Sequence, residues 1–259
     1  MRNAAQLDAG QREAFRKDGV LLLKDFAPKR AVIAVLRQYN IWRNTVIMQG
    51  ADDKTRGDIA RARQAMDVTE GEEIAPLRKL AHDLGGALLG PDNVHEVEAQ
   101  LIGWAPSGPA WKPTWHIDWV NKHLRLKTED QFPGFQLLVG FPLTPALRED
   151  RGNLFVSPGW HTEICNTFRQ SPTLRDPLEA ISKGIASQVP WGTPQQLLVA
   201  PGDVILTHSL IPHGVAENKG AGFADKLYFR LAHKTAIHRG GRDALDTPWR
   251  NWQGMQDGG

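Results

Sequence analysis

The chain has 259 residues, 41% of them hydrophobic and 23% charged, a composition that allows one domain with a well-packed core. Its 31 basic and 29 acidic residues leave a formal net charge of +2, so neither a nucleic acid nor an anionic membrane is an expected partner. The single cysteine, Cys165, excludes a disulfide framework and a multi-thiolate metal site, and the N-terminal sequence has no apolar signal segment, so we expect a cytoplasmic protein.

The first third of the chain predicts a helical region with one strand near its start. Apolar residues at helical spacing predict helices over residues 7–17, 28–43 and 75–89. Gly19 ends the first helix, and the apolar run 20–23 predicts a short buried strand. Residues 50–72 are polar and rich in Arg, Asp and Ala, which fits either an exposed helix or a mobile loop. We expect substrate specificity to reside in this region, within residues 40–75.

Beyond Pro91, short apolar runs separated by Gly and Pro replace the helical periodicity. The predicted strands are 94–104, 114–120, 135–143, 153–156, 196–200, 204–208 and 226–233. This pattern predicts a mainly β fold with flanking helices, in which a double-stranded β-helix (a cupin-like jelly roll) carries the N-terminal helices on one sheet. A loop with a helix over 171–184 interrupts the strands, and Trp249 and Trp252 are expected to hold the C-terminal tail against the body.

These elements predict one domain over residues 1–259. Within it, residues 1–90 form the helical support, residues 91–238 form the jelly-roll core and residues 239–259 form the tail.

The sequence WHIDW at 115–119 is the first candidate for chemistry. Side chains two residues apart on a strand point to the same side, so His116 and Asp118 project together while Ile117 points into packing. One imidazole and one carboxylate are two of the three ligands in the facial triad of non-haem Fe(II) sites. A His-x-Asp pair also occurs by chance in ordinary strands, so a second histidine is needed.

The segment PGDVILTHSLIPHG at 201–214 offers that histidine twice. His208 lies within a predicted strand, whereas His213 lies where the strand ends, between Pro212 and Gly214. These neighbours are poorly suited to strand pairing and well suited to directing a side chain at a site. The alternative is that both histidines are structural.

Four blocks in the chain resemble the phytanoyl-CoA dioxygenase-like family of Fe(II)- and 2-oxoglutarate-dependent oxygenases. They are Leu7-x3-Gln11-x3-Phe15-x2-Asp18-Gly19-Val20 followed by Phe26, then WHIDW, then GNLFVSPGWH at 152–161, then PGDVILTHSLIPHGVAEN at 201–218. The resemblance implies that His116, Asp118 and His213 bind Fe(II) and form the catalytic centre, with His213 and not His208 as the third ligand.

The same resemblance implies the reaction. Three protein ligands leave positions for a chelating 2-oxo acid and for O2. The expected activity is oxidation, by default hydroxylation, of an unactivated C–H bond in a small molecule such as an amino acid or natural-product intermediate, with release of succinate and CO2. Related halogenases carry a small residue in place of Asp118, which argues against halogenation.

The far carboxylate of 2-oxoglutarate needs a basic partner, and here the chain departs from the family. Members typically have Arg at the position of Ala224 and Ser at that of Val215. Strand parity puts Lys226 and Arg230 on one face, and we favour Arg230 because a guanidinium matches a carboxylate, with Lys226 as its rival. Gln100 on a neighbouring strand is a further candidate. The alternative is that Arg230 points outward from an exposed edge.

Other residues near the metal motif have weaker assignments. Trp115 and Trp119 face away from His116 and are predicted to be core, while Trp111 and Lys112 could line a substrate entrance. The charged residues 148–151 are predicted to be a solvated turn.

Two other classes of function remain open at this point. A cupin-like metalloenzyme would bind metal without using 2-oxoglutarate, and a lectin-like jelly-roll module would carry a vestigial His/Asp set. The leading hypothesis remains an oxygenase that acts on a small-molecule substrate, and the sequence gives no indication of the oligomeric state.

Overall fold

A computed structural model describes residues 7–48, 70–107, 115–118, 134–173, 179–183, 193–235, 245 and 247–256. The longer helices are α1 (Ala9–Asp18), α2 (Lys29–Met48), α3 (Ala75–Leu89) and α4 (Trp160–Gln170), and 3-10 turns cover Glu72–Ile74 and Gln253–Met255. The strands are β1 (Val20–Leu23), β2 (Val94–Trp104), β3 (Leu137–Pro142), β4 (Leu154–Val156), β5 (Gln195–Gln196), β6 (Val204–His208), β7 (His213–Val215) and β8 (Ala224–His233).

Helix α1 is fixed at both ends by residues that the sequence makes visible. The Asp8 carboxylate accepts a hydrogen bond from the Gln11 backbone N–H at 2.8 Å, and the Gln11 side chain accepts one from the Asp8 N–H at 2.9 Å. At the other end Gly19 has a φ of 66°, and its N–H donates to the Phe15 carbonyl. The chain therefore turns directly from α1 into β1, as predicted.

The strands form two open antiparallel sheets. The major sheet has the order β1-β6-β3-β8-β2 and the minor sheet the order β5-β4-β7. Val20 and Ile205 of the major sheet pack with Leu154 and Val156 of the minor sheet, so the two sheets face each other across an apolar layer. The mainly β, cupin-like architecture is confirmed, although the described strands do not close into a barrel.

The N-terminal helices cover the outer face of the major sheet, also as predicted. Phe15 of α1 and Leu84 of α3 join one large core with Phe229 of β8. Burial of each such side chain stabilises the fold by about 1.5–3 kcal/mol. Because strand side chains alternate, Lys226 and Arg230 point to the opposite face of β8, into the space between the sheets.

The C-terminal segment is tied to α1. Phe15 contacts the rings of Trp249 and Trp252, with ring centroids 5.6 Å and 5.8 Å away. Arg12 donates to the Gly254 carbonyl at 2.6 Å. The expectation that the two tryptophans hold this segment against the body is therefore confirmed.

Helix α4 was not expected from the sequence, which placed the interrupting helix within 171–184. Residues 179–183 are indeed helical, but the longer helix begins earlier, at Trp160. Its buried residues are His161, Ile164, Cys165 and Phe168, a spacing typical of an amphipathic helix. The helix begins directly after Pro158 and Gly159.

The local structure at two metal-motif positions differs from the expectation. Of the predicted strand 114–120 the structure describes residues 115–118, where His116 forms only an isolated antiparallel bridge with His213. His213 itself begins strand β7 and pairs with Val156, although Pro212 and Gly214 flank it. Pro212 precedes the strand and so removes no hydrogen bond from its ladder.

Some predictions fall on parts of the chain outside the described residues. These are most of the polar segment 50–72, the loop residues Trp111 and Lys112, and Trp119. None of the described helices has both the length and the apolar character that crossing a bilayer requires.

Candidate metal centre

The structure brings His116, Asp118 and His213 together. One ligand atom from each lies within 4.8 Å of the other two. His116 Nε2 is 3.7 Å from Asp118 Oδ1, and His213 Nε2 is 3.9 Å from Asp118 Oδ2. Among the described residues this is the group of three His, Cys, Asp or Glu side chains that could hold a metal ion.

Backbone hydrogen bonds hold the two histidines in register. The His116 N–H donates to the His213 carbonyl at 2.8 Å, and the His213 N–H donates back to the His116 carbonyl at 2.9 Å. Directly opposed residues of an antiparallel pair lie close together, so both imidazoles reach the same point, with ring centroids 4.2 Å apart. The third residue, Asp118, follows His116 after one intervening residue.

The tautomer of His213 follows from its second nitrogen. Nδ1 lies 2.8 Å from the carbonyl oxygen of Ile211, which can only accept a hydrogen bond. Nδ1 therefore carries the proton, and the lone pair of Nε2 faces the cluster. This is the arrangement by which proteins orient a histidine that binds a metal.

The cluster is enclosed on one side and open on the other. The side chains of Asp118 and His213 are 15% and 8% exposed, whereas that of His116 is 46% exposed. Small ligands can therefore approach along the His116 side.

Arg230 lies against Asp118 and not on an exposed edge. Its Nε and Nη2 each lie 3.3 Å from Asp118 Oδ2, while Nη1 donates to Gln100 Oε1 at 2.8 Å. Burial alone would raise the pKa of the Asp118 carboxyl, but the positive charge of Arg230 and the two histidines outweigh it and lower that pKa. Asp118 is therefore held as a carboxylate, the form that binds a cation.

Lys226 occupies a different part of the same interior face. It is 3% exposed, and its ammonium group donates to the carbonyl of Gly152. Gly152 packs closely on Ala224, because a Cβ added to Gly152 would lie 2.5 Å from the Ala224 Cβ. The ammonium bound to the Gly152 carbonyl therefore ends close to Ala224. Burial lowers the pKa of Lys226 to about 8, against the raising effect of Asp225.

The rival histidine His208 is engaged elsewhere. Its Nε2 donates to the Pro248 carbonyl at 2.8 Å, and its ring stacks on Trp252 at a centroid distance of 5.3 Å. Burial and the neighbouring His161 lower the pKa of His208 to about 3. His208 thus contributes to the contact with the C-terminal segment.

Two features were missed by sequence reasoning. Glu98 lies 3.3 Å from Arg230, and its place two residues before Gln100 on β2 was the available indication. Asp150 is not merely solvated: it accepts hydrogen bonds from Gln196 at 3.0 Å and Lys219 at 2.7 Å.

The neighbouring tryptophan behaves as expected. Trp115 is 8% exposed and packs edge-on against Phe155, with ring centroids 4.6 Å apart. A cavity of about 270 Å³ opens beside this pair, with Asp150 and Glu217 also on its wall.

Comparison with known proteins identifies one family and several solved structures that share the fold. A sequence profile described as phytanoyl-CoA dioxygenase (PhyH) matches residues 15–225. No curated protein shows significant similarity to the sequence.

The shared fold is seen in solved structures. SnoK, a non-heme alpha-ketoglutarate-dependent carbocyclase from nogalamycin biosynthesis, matches with a TM-score of 0.59 at 17% identity, over 87% of this chain and 84% of that one. EctD from S. alaskensis, solved with 2-oxoglutarate and 5-hydroxyectoine, matches with a TM-score of 0.56 at 20% identity, over 90% of this chain and 78% of that one. At these identities the likeness establishes the fold.

Proposed function

The chain belongs to the phytanoyl-CoA dioxygenase family, and from this membership we propose that it oxidises a C–H bond of a small molecule, most simply by hydroxylation. It is a 2-oxoglutarate-dependent dioxygenase whose cofactors are Fe(II), 2-oxoglutarate and O2. The substrate class that we propose is an amino acid or natural-product intermediate, and the coproducts are succinate and CO2.

The cluster of His116, Asp118 and His213 is the observation that carries the proposal. Two imidazoles and one carboxylate are the donor set of the facial triad, so these residues fit ferrous iron. Bound there, iron would couple the oxidative decarboxylation of 2-oxoglutarate to the oxidation of the substrate by O2.

The chain's own residues orient the candidate metal ligands, keep Asp118 ionised and exclude water. The Ile211 carbonyl fixes the His213 ring, and Arg230 keeps Asp118 ionised. The apolar layer between the sheets and the buried Phe135 and Tyr228 beside Arg230 limit access of water to the interior face.

Lys226 is the better supported anchor for the far carboxylate of 2-oxoglutarate. Its ammonium is buried, has a neutral carbonyl as a hydrogen-bond partner and ends beside Ala224. No carboxylate of the described residues forms an ion pair with this ammonium, and an incoming carboxylate would offset the cost of burying its charge. Arg230, which the sequence favoured, already faces the carboxylates of Asp118 and Glu98.

The decisive experiment measures iron binding and 2-oxoglutarate turnover separately. Metal-free protein titrated anaerobically should bind one Fe(II) and, once given O2, should slowly convert 2-oxoglutarate to succinate. His213→Ala should weaken iron binding by at least about 100-fold, more than the loss of an outer-shell partner, which costs 10- to 100-fold.

The matched control is His208→Ala, which removes a buried histidine that lies outside the cluster, against Pro248 and Trp252. This variant should lower stability and leave iron affinity unchanged. If Asp118→Ala or His213→Ala keeps full iron affinity, the ligand assignment is wrong. If iron binds but 2-oxoglutarate is neither bound nor consumed, the cupin-like alternative replaces this proposal.

The substrate is best sought with a metabolite library read out by succinate release. The near-neutral net charge of +2 supports a small molecule over a polyanion. Stimulated succinate release by an acyl-CoA and by no amino acid or natural product would contradict the proposed substrate class.

A further inference from the structure

Arg230 is held in place from the side opposite the metal cluster. Nη1 donates to Gln100 Oε1 at 2.8 Å and lies 3.3 Å from Glu98 Oε2, both on the neighbouring strand β2. Its guanidinium carbon lies 5.4 Å from the centroid of the Phe135 ring. With a side chain only 11% exposed, Arg230 has little freedom to move.

The other edge of the same guanidinium is directed at one atom. Nε and Nη2 both lie 3.3 Å from Oδ2 of Asp118, so two N–H groups converge on a single carboxylate oxygen. The second oxygen, Oδ1, faces His116 Nε2 at 3.7 Å. The carboxylate is thereby oriented about its own axis by a group that is itself fixed to β2.

We propose that Arg230 is a positioning residue for the metal ligand Asp118, and that Lys226, not Arg230, supplies the cation for the cosubstrate carboxylate. This inference rests on the proposed function, since it concerns the same centre. A carboxylate can bind a metal through one oxygen or through both. By holding Oδ2, Arg230 would leave Oδ1 as the oxygen available to a metal ion.

The charge of Arg230 and its hydrogen bonds to Asp118 should have opposite effects on metal affinity, which makes the inference testable. Loss of a positive charge beside a dication would, by itself, strengthen metal binding. Loss of the hydrogen bonds that orient a ligand weakens it, typically by 10- to 100-fold. If a variant that lacks the charge of Arg230 binds the metal more weakly, the loss is therefore due to the lost orientation of Asp118.

The test uses Co(II) as the probe, because its visible absorption reports coordination without turnover. In metal-free protein, Arg230→Gln should weaken Co(II) binding by about 10- to 100-fold and change the absorption spectrum. Arg230→Lys, which keeps the charge but not the fork, should bind Co(II) less tightly than the wild type, with the same altered spectrum.

Two control variants separate this effect from general damage. Arg78→Gln removes an arginine that pairs with Glu96 of β2 at 3.1 Å, outside the cluster, and should leave Co(II) affinity and spectrum unchanged. Lys226→Met should also leave both unchanged while raising the 2-oxoglutarate requirement.

The outcomes distinguish the two proposals. If both Arg230 variants keep the wild-type Co(II) affinity and spectrum, the positioning role is overturned; a higher 2-oxoglutarate requirement would then make Arg230 the anchor. If the wild type binds neither Co(II) nor Fe(II), the proposed function itself fails.

Discussion

Lys226 and Arg230 lie on the same face of β8 but in different electrostatic surroundings. Arg230 is flanked by the carboxylates of Asp118 and Glu98, whereas the ammonium of Lys226 donates to a neutral carbonyl. Strand parity predicted their common face, but it could not reveal which carboxylates the other elements bring to each one.

Replacing Lys226 should affect the cosubstrate and spare the metal. Lys226→Met removes a charge-assisted hydrogen bond worth about 1.5–3 kcal/mol, so the KM for 2-oxoglutarate should rise about 10- to 100-fold. Lys226→Arg should retain most of the affinity. Steady-state succinate release at varied 2-oxoglutarate measures both, and an unchanged KM in Lys226→Met would exclude Lys226 as the anchor.

The affinity for 2-oxoglutarate should also depend on pH. The pKa of Lys226 is lowered to about 8, chiefly by burial, so the amine loses its proton as the pH rises through that value. A neutral amine attracts a carboxylate weakly, and KM should therefore rise above pH 8. In Lys226→Arg this rise should disappear, because arginine stays protonated. A wild-type KM that is flat from pH 7 to 9.5 would contradict the assignment.

At the residue scale, the metal motif was predictable and its surroundings were not. His116 and Asp118 were indicated by their spacing within one short segment, and the family resemblance selected His213 over His208. The contact of Arg230 with Asp118 joins residues far apart in sequence, and no local pattern encodes such a contact.

At the scale of elements, the junction between α1 and β1 depends on Gly19. Its φ is 66°, and an added Cβ would lie 2.5 Å from His161 Nδ1 and 2.7 Å from Ile211 Cδ1. Gly19 thus lets α1 turn into β1 while α4 and the segment between β6 and β7 pack against the turn.

Gly19→Ala should destabilise the protein by about 2–5 kcal/mol, from left-handed strain and overpacking together. The matched control is Gly222→Ala, whose Cβ would meet nothing within 4 Å and which should change stability by less than about 0.5 kcal/mol. Urea unfolding of both variants provides the comparison. Equal stabilities would show that the junction tolerates a side chain.

Helices and strands with a strong periodicity of their own were predicted well, whereas strands that exist only through pairing with another strand were not. The helix over 75–89 and the strand over 204–208 have the predicted bounds, because each carries its own period and its own breakers. The strands β5 and β7 are two and three residues long and exist through pairing with β4. Such short strands leave too little sequence for a period to appear.

At the scale of the whole molecule, the C-terminal segment covers two buried histidines. His208 and His161 lie with ring centroids 5.3 Å apart under Trp249. Burial lowers the pKa of His161 to about 4 and that of His208 to about 3, from 6.5. Both are therefore neutral in the folded state under conditions where the unfolded chain is protonated.

Stability should consequently fall in acid. Above about pH 6.5 neither state takes up a proton, so these histidines add no pH dependence. As the pH falls below that value only the unfolded chain binds protons, and each histidine costs about 1.4 kcal/mol per pH unit until the folded pKa is reached. Urea unfolding of metal-free protein between pH 7 and 4.5 measures the slope.

His208→Asn isolates one of the two contributions. The slope below pH 6.5 should become shallower by about 1.4 kcal/mol per pH unit, whatever the offset in stability. Contributions from the other histidines are common to both proteins and cancel. The same slope in both proteins would mean that His208 is protonated in the folded state.

The mainly β architecture was predictable at this scale, whereas the arrangement of its strands was not. Gly and Pro between short apolar runs indicated many strands, and the helical periods indicated a separate layer. The order β1-β6-β3-β8-β2 sets the first strand beside one near residue 206. Packing across the core determines that β1 pairs with β6, and local sequence patterns carry no information about such long-range packing.

The tie between α1 and the C-terminal segment bears on how the protein is made. Arg12 donates to the Gly254 carbonyl, and Phe15 packs on Trp249 and Trp252. During translation α1 leaves the ribosome long before residues 249–255 exist, so this part of the cover over its apolar face forms only when those residues have been synthesised. The helical layer therefore cannot be completed before the segment 249–255 has been synthesised.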